Sequence, residues 1–149
     1  MRRESSTIVV LIGEASEGLL AGLASSPNVA VARAPAQENA RPSQPKPERP
    51  GWEPGALAMR DAARLRSTYV VVAGDPLADV AAGWQAMWEV PGGPDAAVDF
   101  EQRAADALSA WRRKQFELPD YYLVMAPAQP ENNTPDLYLG PLRAARPRR

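Results

Sequence analysis

Thr7 to Ile12 (TIVVLI) is an unbroken apolar and β-branched run ended by Gly13. Such a run reads as a strand buried on both faces. Beyond it, Leu19, Leu20 and Leu23 fall at helical spacing. Ser16 precedes them, and the acids Glu14 and Glu17 lie near the start, so the pattern predicts a helix over 14–24. Ser25-Ser26-Pro27-Asn28 is a turn. Val29 to Ala32 (VAVA) is a second short strand, stopped at Pro35. This β-α-β unit of about 30 residues has the size of a right-handed parallel crossover.

The stretch from Pro35 to Pro54 breaks the pattern. It holds six prolines among Gln, Glu, Asn, Arg and Ser, and it cannot bury enough apolar surface to fold alone. It is expected as a long surface loop, with Trp52 docking on the domain as an anchor. Periodicity resumes from Gly55 to Ser67, a helix with Ala56, Leu57, Met59, Ala63 and Leu65 among its apolar positions. Thr68 to Ala73 (TYVVVA) is the clearest strand. Pro76 then suits the first turn of a new helix with Asp75 as its N-cap. That helix runs to about Glu89 with Val80, Trp84, Met87 and Trp88 on one side.

Pro91-Gly92-Gly93-Pro94 interrupts the chain, and Asp95 caps a helix running to about Gln115. Its apolar stripe is Val98, Phe100, Ala104, Ala107, Leu108 and Trp111, and Arg112 to Lys114 suit its C-terminal dipole. The default place for Trp84, Trp88, Phe100 and Trp111 is the core between helix and sheet. Tyr121 to Met125 (YYLVM) is a fourth strand, with Tyr121 and Tyr122 on opposite faces. A Pro/Asn loop follows over 126–135, then a short edge strand over Leu137 to Leu142 and a basic tail at 143–149. Strands separated by helices imply a parallel sheet covered on both faces. The expected fold is a single domain over 1–149, a small Rossmann-like or flavodoxin-like three-layer α/β sandwich with a mostly parallel sheet of four or five strands.

Composition narrows the chemistry. The 149 residues include no His and no Cys. That removes Cys–His nucleophiles, Ser-His-Asp triads, His general bases, Cys/His zinc sites and disulfides. Any active site is left with carboxylates, hydroxyls, Lys, Tyr and backbone amides, and neither a metal nor a cofactor is expected. Formal net charge is -1, so a dedicated nucleic-acid binder is not indicated. No apolar run approaches the ~20 residues of a membrane span. The run at Ile8–Ile12 follows Met1-Arg2-Arg3 but is shorter than a signal-peptide core, and the expected location is cytoplasmic.

In open parallel sheets ligands bind beyond the carboxyl ends of the strands. The segment Gly13-Glu14-Ala15-Ser16-Glu17-Gly18 occupies that edge. It resembles a phosphate-binding loop in outline, lacks the Lys-Ser/Thr pair of a Walker A loop, and carries two acids that repel phosphate. A plain strand-to-helix turn is the simpler account of Gly13, with a weakly held anionic or hydroxylated ligand at Glu14 and Ser16 as its alternative. The segment Gly74-Asp75-Pro76-Leu77-Ala78-Asp79 is the second candidate, and the loop after Met125 is the third. Asp75 and Asp79 lie about one helical turn apart and are placed to flank one ligand. Glu89 lies ~15 Å from Asp79 by helical rise.

Taken together, Val31 to Pro35, Asp61 in MRDAARLRSTYVVVAGDP, and Asp75 or Asp79 resemble the layout of the nucleoside 2-deoxyribosyltransferase family over residues 7–90. The resemblance implies carboxylate attack at a sugar anomeric carbon, with Glu89, Asp79 and Asp61 as the catalytic set. It implies Gly13, Glu14, Ser16, Gly74 and Asp75 as ligand-binding residues, and a nucleoside or nucleotide ligand. The nucleophile register is not intact: one alignment puts Gln85 in its place, and the other restores Glu89 but follows it closely with Pro91. The competing expectation is a non-catalytic interaction module, homo-oligomeric or partner-binding. It would show an exposed apolar patch near the Trp helices and no convergent polar pocket.

Overall fold

The structure, a computed structural model, describes residues 6–34, 49–89, 94–127 and 131–145. Four strands form one sheet: β1 (Thr7–Ile12), β2 (Val29–Arg33), β3 (Tyr69–Ala73) and β4 (Tyr121–Val124). Their order is β2-β3-β1-β4 and every pairing is parallel. In register, Val10 stands beside Val72 and Tyr122, and Val71 stands beside Val9 and Val31. Parallel neighbours need crossovers, and helices supply them: α1 (Glu17–Ala24), α2 (Glu53–Ala62), and then α3 (Ala78–Glu89) with α4 (Pro94–Arg112). The chain is thus a small α/β sandwich of the expected class.

Alternation along the two central strands splits the interior into two layers. Val10, Ile12, Val70 and Val72 face α2, α3 and α4, joined by Met59, Ala62, Val80 and Ala110. Leu11 and Val71 face the other way, onto Leu20 of α1. Val10, Val70 and Val72 are fully buried, and each contributes about 1.5–3 kcal/mol of apolar burial. This is why β1 and β3 read as continuous apolar runs. β4, at the sheet edge, reads differently: Tyr121 and Leu123 point to the α1 side and stay exposed, while Tyr122 and Val124 pack on the larger core.

Several expectations change. The helix expected from Gly55 starts at Glu53 and ends at Ala62, because Pro54 fits a first turn where its missing N–H costs nothing. Trp52 does anchor this entry, its ring centroid 5.7 Å from that of Phe116. Residues 137–142 are not an edge strand. Helix α5 (Thr134–Leu137) continues into a π-helical turn at Tyr138–Leu142 and then α6 (Arg143–Ala145). Leu137 and Tyr138 are adjacent and both pack into the same core layer, which a strand, with neighbouring side chains on opposite faces, does not allow.

Trp84 and Phe100 pack edge-on between α3 and α4 at 5.7 Å. Trp88 and Trp111, expected in the core, are 59% and 47% exposed. Small residues explain this: α3 buries Val80, Ala81 and Gly83, and α4 buries Ala107 and Ala110, so the helices sit too close for further indoles. The expected Pro-rich loop over 35–48, the Pro91–Gly93 break and the tail end at 146–149 lie outside the described residues.

Helix α2 meets the end of β3 at Gly55. A Cβ there would lie 2.2 Å from the Asp75 carbonyl carbon. Gly55→Ala is therefore expected to destabilise the fold by about 2 kcal/mol or more. Gly22→Ala, on α1 with nothing within 4 Å of the added methyl, is expected to stabilise it by about 0.5–1 kcal/mol. Urea unfolding of both variants checks the contrast, and equal effects would contradict the close α2–β3 packing.

Candidate functional site

Neighbouring strands β1 and β3 send the chain to opposite faces, β1 into α1 and β3 into α3. Such a divergence opens a crevice at the strand ends, the place where open α/β sheets hold ligands. A pocket of about 470 Å³ lies there. Its walls come from the end of β1 (Leu11, Ile12), Leu20 of α1, Asp75 after β3, Ala81 of α3, and Tyr138. Gly13 turns the chain out of β1 at φ 114°, a left-handed conformation that favours glycine. Ser16 caps α1, its Oγ accepting from the Leu19 N–H at 3.1 Å.

Asp75 is the buried charged side chain among the described residues, at 8% exposure. One oxygen, Oδ1, accepts from the Leu77 N–H at 3.0 Å and lies 3.5 Å from the Tyr122 hydroxyl. The other, Oδ2, accepts from the Tyr138 hydroxyl. Asp75, expected as the N-cap, instead closes the turn that leads into α3, which begins at Ala78, and its carbonyl accepts from the Ala78 N–H. Burial pushes the Asp75 carboxyl above the usual carboxylate range, and the Tyr138, Leu77 and Tyr122 bonds oppose that shift. Burial and then the Asp75 charge raise the Tyr138 pKa, so the hydroxyl stays protonated and donates. A carboxylate offers about four acceptor positions. Three are engaged here, which leaves one for a donor entering the pocket.

The segment carrying Tyr138 is tied to α3. Trp84 Nε1 donates to the Asn133 carbonyl at 3.1 Å, and the Asn133 N–H donates to Gln85 Oε1 at 2.6 Å. Gln85 Nε2 donates to the Glu131 carbonyl and to Glu89 Oε1. Gln85, one candidate for the nucleophile's place, is therefore a clasp for the C-terminal segment.

The expected catalytic carboxylates do not meet at the pocket, and none of the three lines it. Asp79 is bound by Arg103 of α4 at 2.7 Å, and that guanidinium also holds Asp99 at 2.8 Å. Glu89 is exposed at the far end of α3. Asp61 is exposed at the C-terminal end of α2, beside Arg64 at 3.4 Å. Helix α2 starts against Asp75 and runs away from it, so Asp61 lies toward the opposite edge of the sheet, where Leu65 accepts from Ser6 just before β1.

Of the ligand-binding candidates, Gly13, Gly74 and Asp75 line the pocket, while Glu14 and Ser16 are exposed beside it. Thr134, in the loop after Met125, lines the pocket, and the Tyr122 hydroxyl reaches Asp75, whereas Tyr138 and Leu20 were not singled out from the sequence as site residues. Tyr138 lies 63 positions from Asp75, and no local spacing connects the two. Among the described residues no group of three or more acids is placed to hold a metal ion, and no helix is long and apolar enough to cross a membrane.

Because the folded-state pKa of Asp75 is raised above 3.8, the folded chain binds this proton more tightly than the unfolded chain does. Its contribution to stability then falls as pH rises from that value through the folded-state pKa. Relative to Asp75→Asn, the protein is expected to lose stability with rising pH across that window. Urea unfolding of both proteins between about pH 4 and pH 8 measures the difference. A difference moving in favour of the native protein as pH rises would refute it.

No family model matches the chain, and no curated protein or solved structure does.

Proposed function

We propose that this chain is a nucleoside- or nucleotide-handling domain that binds its ligand between the ends of β1 and β3 without carboxylate-pair catalysis. The observation that carries this reading is Asp75, a carboxyl nine-tenths buried in the wall of an otherwise largely apolar pocket at the point where the chain diverges. Leu11, Ile12 and Leu20 offer apolar surface to a ring system, and Asp75 with Tyr138 offers a fixed polar anchor for a hydroxyl or amino group. The volume of about 470 Å³ falls within the ~300–1,000 Å³ typical of small-molecule sites. Two carboxylates on one scissile bond are what glycosyl transfer requires, and among the described residues Asp75 is the one acid that lines the pocket, so binding is the better-supported role.

Titration with thymidine, adenosine, guanosine and cytidine, followed by NMR chemical shifts, tests the reading. Saturable shifts at residues around Asp75 are expected for at least one of them. Ala82→Leu, at an exposed helical position lining the pocket, is expected to abolish those shifts and leave the melting temperature unchanged. Absence of saturable shifts for every compound, their phosphates included, would overturn it.

A second reading, a non-catalytic interaction module, is supported by a different observation. Val98, Leu108 and Trp111 on α4 are large apolar residues left exposed. The two readings use separate surfaces. Light scattering of the native chain against Leu108→Ser/Trp111→Ser examines the second as self-association: it expects the native chain alone to exceed monomer mass.

A further inference from the structure

Gly13 and Gly18 stand five positions apart between the end of β1 and the first turn of α1. Phosphate loops place their two glycines in this strand-to-helix setting and follow the second at once with Lys and then Ser or Thr. The Lys reaches the outer phosphates, and the hydroxyl holds a magnesium ion together with a carboxylate from a neighbouring strand. Here the neighbouring-strand carboxylate is present as Asp75, at the end of β3 beside β1. The Lys position is Leu19 and the Ser/Thr position is Leu20.

The structure shows what these leucines do. Leu20 is buried and lines the same pocket as Asp75, so apolar surface stands where a metal-binding hydroxyl would be. Among the described residues no Lys or Arg lines that pocket. The Leu19 N–H, a first-turn amide, is already taken by Ser16 Oγ. Glu14 and Glu17 add negative charge beside it, and Arg33 of β2 is already paired with Glu17 at 2.8 Å. A phosphate entering here would meet a buried carboxylate without a countercharge.

We infer that this pocket selects an uncharged ligand, the nucleoside itself rather than its phosphates, because the β1–α1 turn has the glycine spacing of a phosphate loop with Leu19 and Leu20 at the positions that would bind charge. The inference rests on the reading of the pocket as a nucleoside-class site. A donor on the ligand, a sugar hydroxyl or a base amino group, takes the remaining acceptor position of Asp75. Leu20, Leu11 and Ile12 cover its apolar faces.

Isothermal titration of the full chain with thymidine, adenosine, guanosine and cytidine, each beside its 5′-monophosphate and its magnesium triphosphate, tests this directly. The nucleoside is expected to bind at least about tenfold tighter than either phosphate of the same base. Leu19→Lys, at an exposed position, is expected to move that ratio toward the phosphates by about tenfold, and Leu19→Lys/Leu20→Ser further toward the magnesium triphosphate. The single variant keeps the test valid if loss of the buried Leu20 side chain unfolds the double one. Phosphates that bind the native chain as tightly as the nucleoside, or a ratio that Leu19→Lys leaves unmoved, would overturn the inference while the pocket reading stands. Absence of binding by all compounds would overturn both.

Discussion

A carboxyl buried at the end of β3 must be hydrogen-bonded, and much of this molecule is arranged around meeting that need. An ionised carboxyl taken out of water costs several kcal/mol unless donors surround it. Asp75 collects them from three directions: the Leu77 amide at the entry to α3, Tyr122 on β4 and Tyr138 on the C-terminal segment. One side chain thus ties together a helix start, the sheet edge and residues 63 positions away. The C-terminal segment folds as a helical turn against α3, and by bringing Tyr138 to Asp75 it becomes a wall of the pocket.

Around this anchor the sheet supplies a floor and a gap. Since β1 and β3 are adjacent but feed helices on opposite faces, no crossover fills the space above their carboxyl ends. The larger core keeps the gap narrow through small residues. Ala56 and Ala58 of α2 and Ala81 of α3 let the helices lie close to the sheet, and Gly55 brings backbone against the Asp75 carbonyl. The same closeness excludes Trp88 and Trp111 from the interior, so packing that shapes the pocket also leaves aromatic and aliphatic surface on the outer helices.

The acids around the site divide by environment rather than by residue type. Asp79 is neutralised by Arg103, Glu17 by Arg33, and Asp61 and Glu89 stand in solvent. The Glu17–Arg33 pair is exposed, and such pairs contribute little to stability. Asp75 differs because it has hydrogen-bond donors but, among the described residues, no cation beside it, inside apolar walls. That combination suits recognition of a neutral donor more than chemistry requiring a nucleophile and a partner acid.

The strands and most helices were legible in the sequence because burial on both faces forces continuous apolar runs at Thr7–Ile12 and Tyr69–Ala73, and because Ser16, Asp75 and Pro76 mark helix entries by their own local bonding. The absence of His and Cys, readable at once, confined the site to carboxyl, hydroxyl and amide chemistry. Sequence also placed Asp75 at a strand end. Tertiary structure alone decided which acid is buried, since Asp75, Asp79 and Glu89 all lie between the end of β3 and the end of α3 and their spacing does not show what packs against each. It alone turned Leu137–Leu142 from an apparent strand into a helical turn, because the choice depended on both Leu137 and Tyr138 facing inward and on the Asp75 acceptor that Tyr138 meets. Local pattern records a residue's periodicity; the partner that satisfies a buried polar group comes from a distant part of the chain, and only the folded packing brings it there.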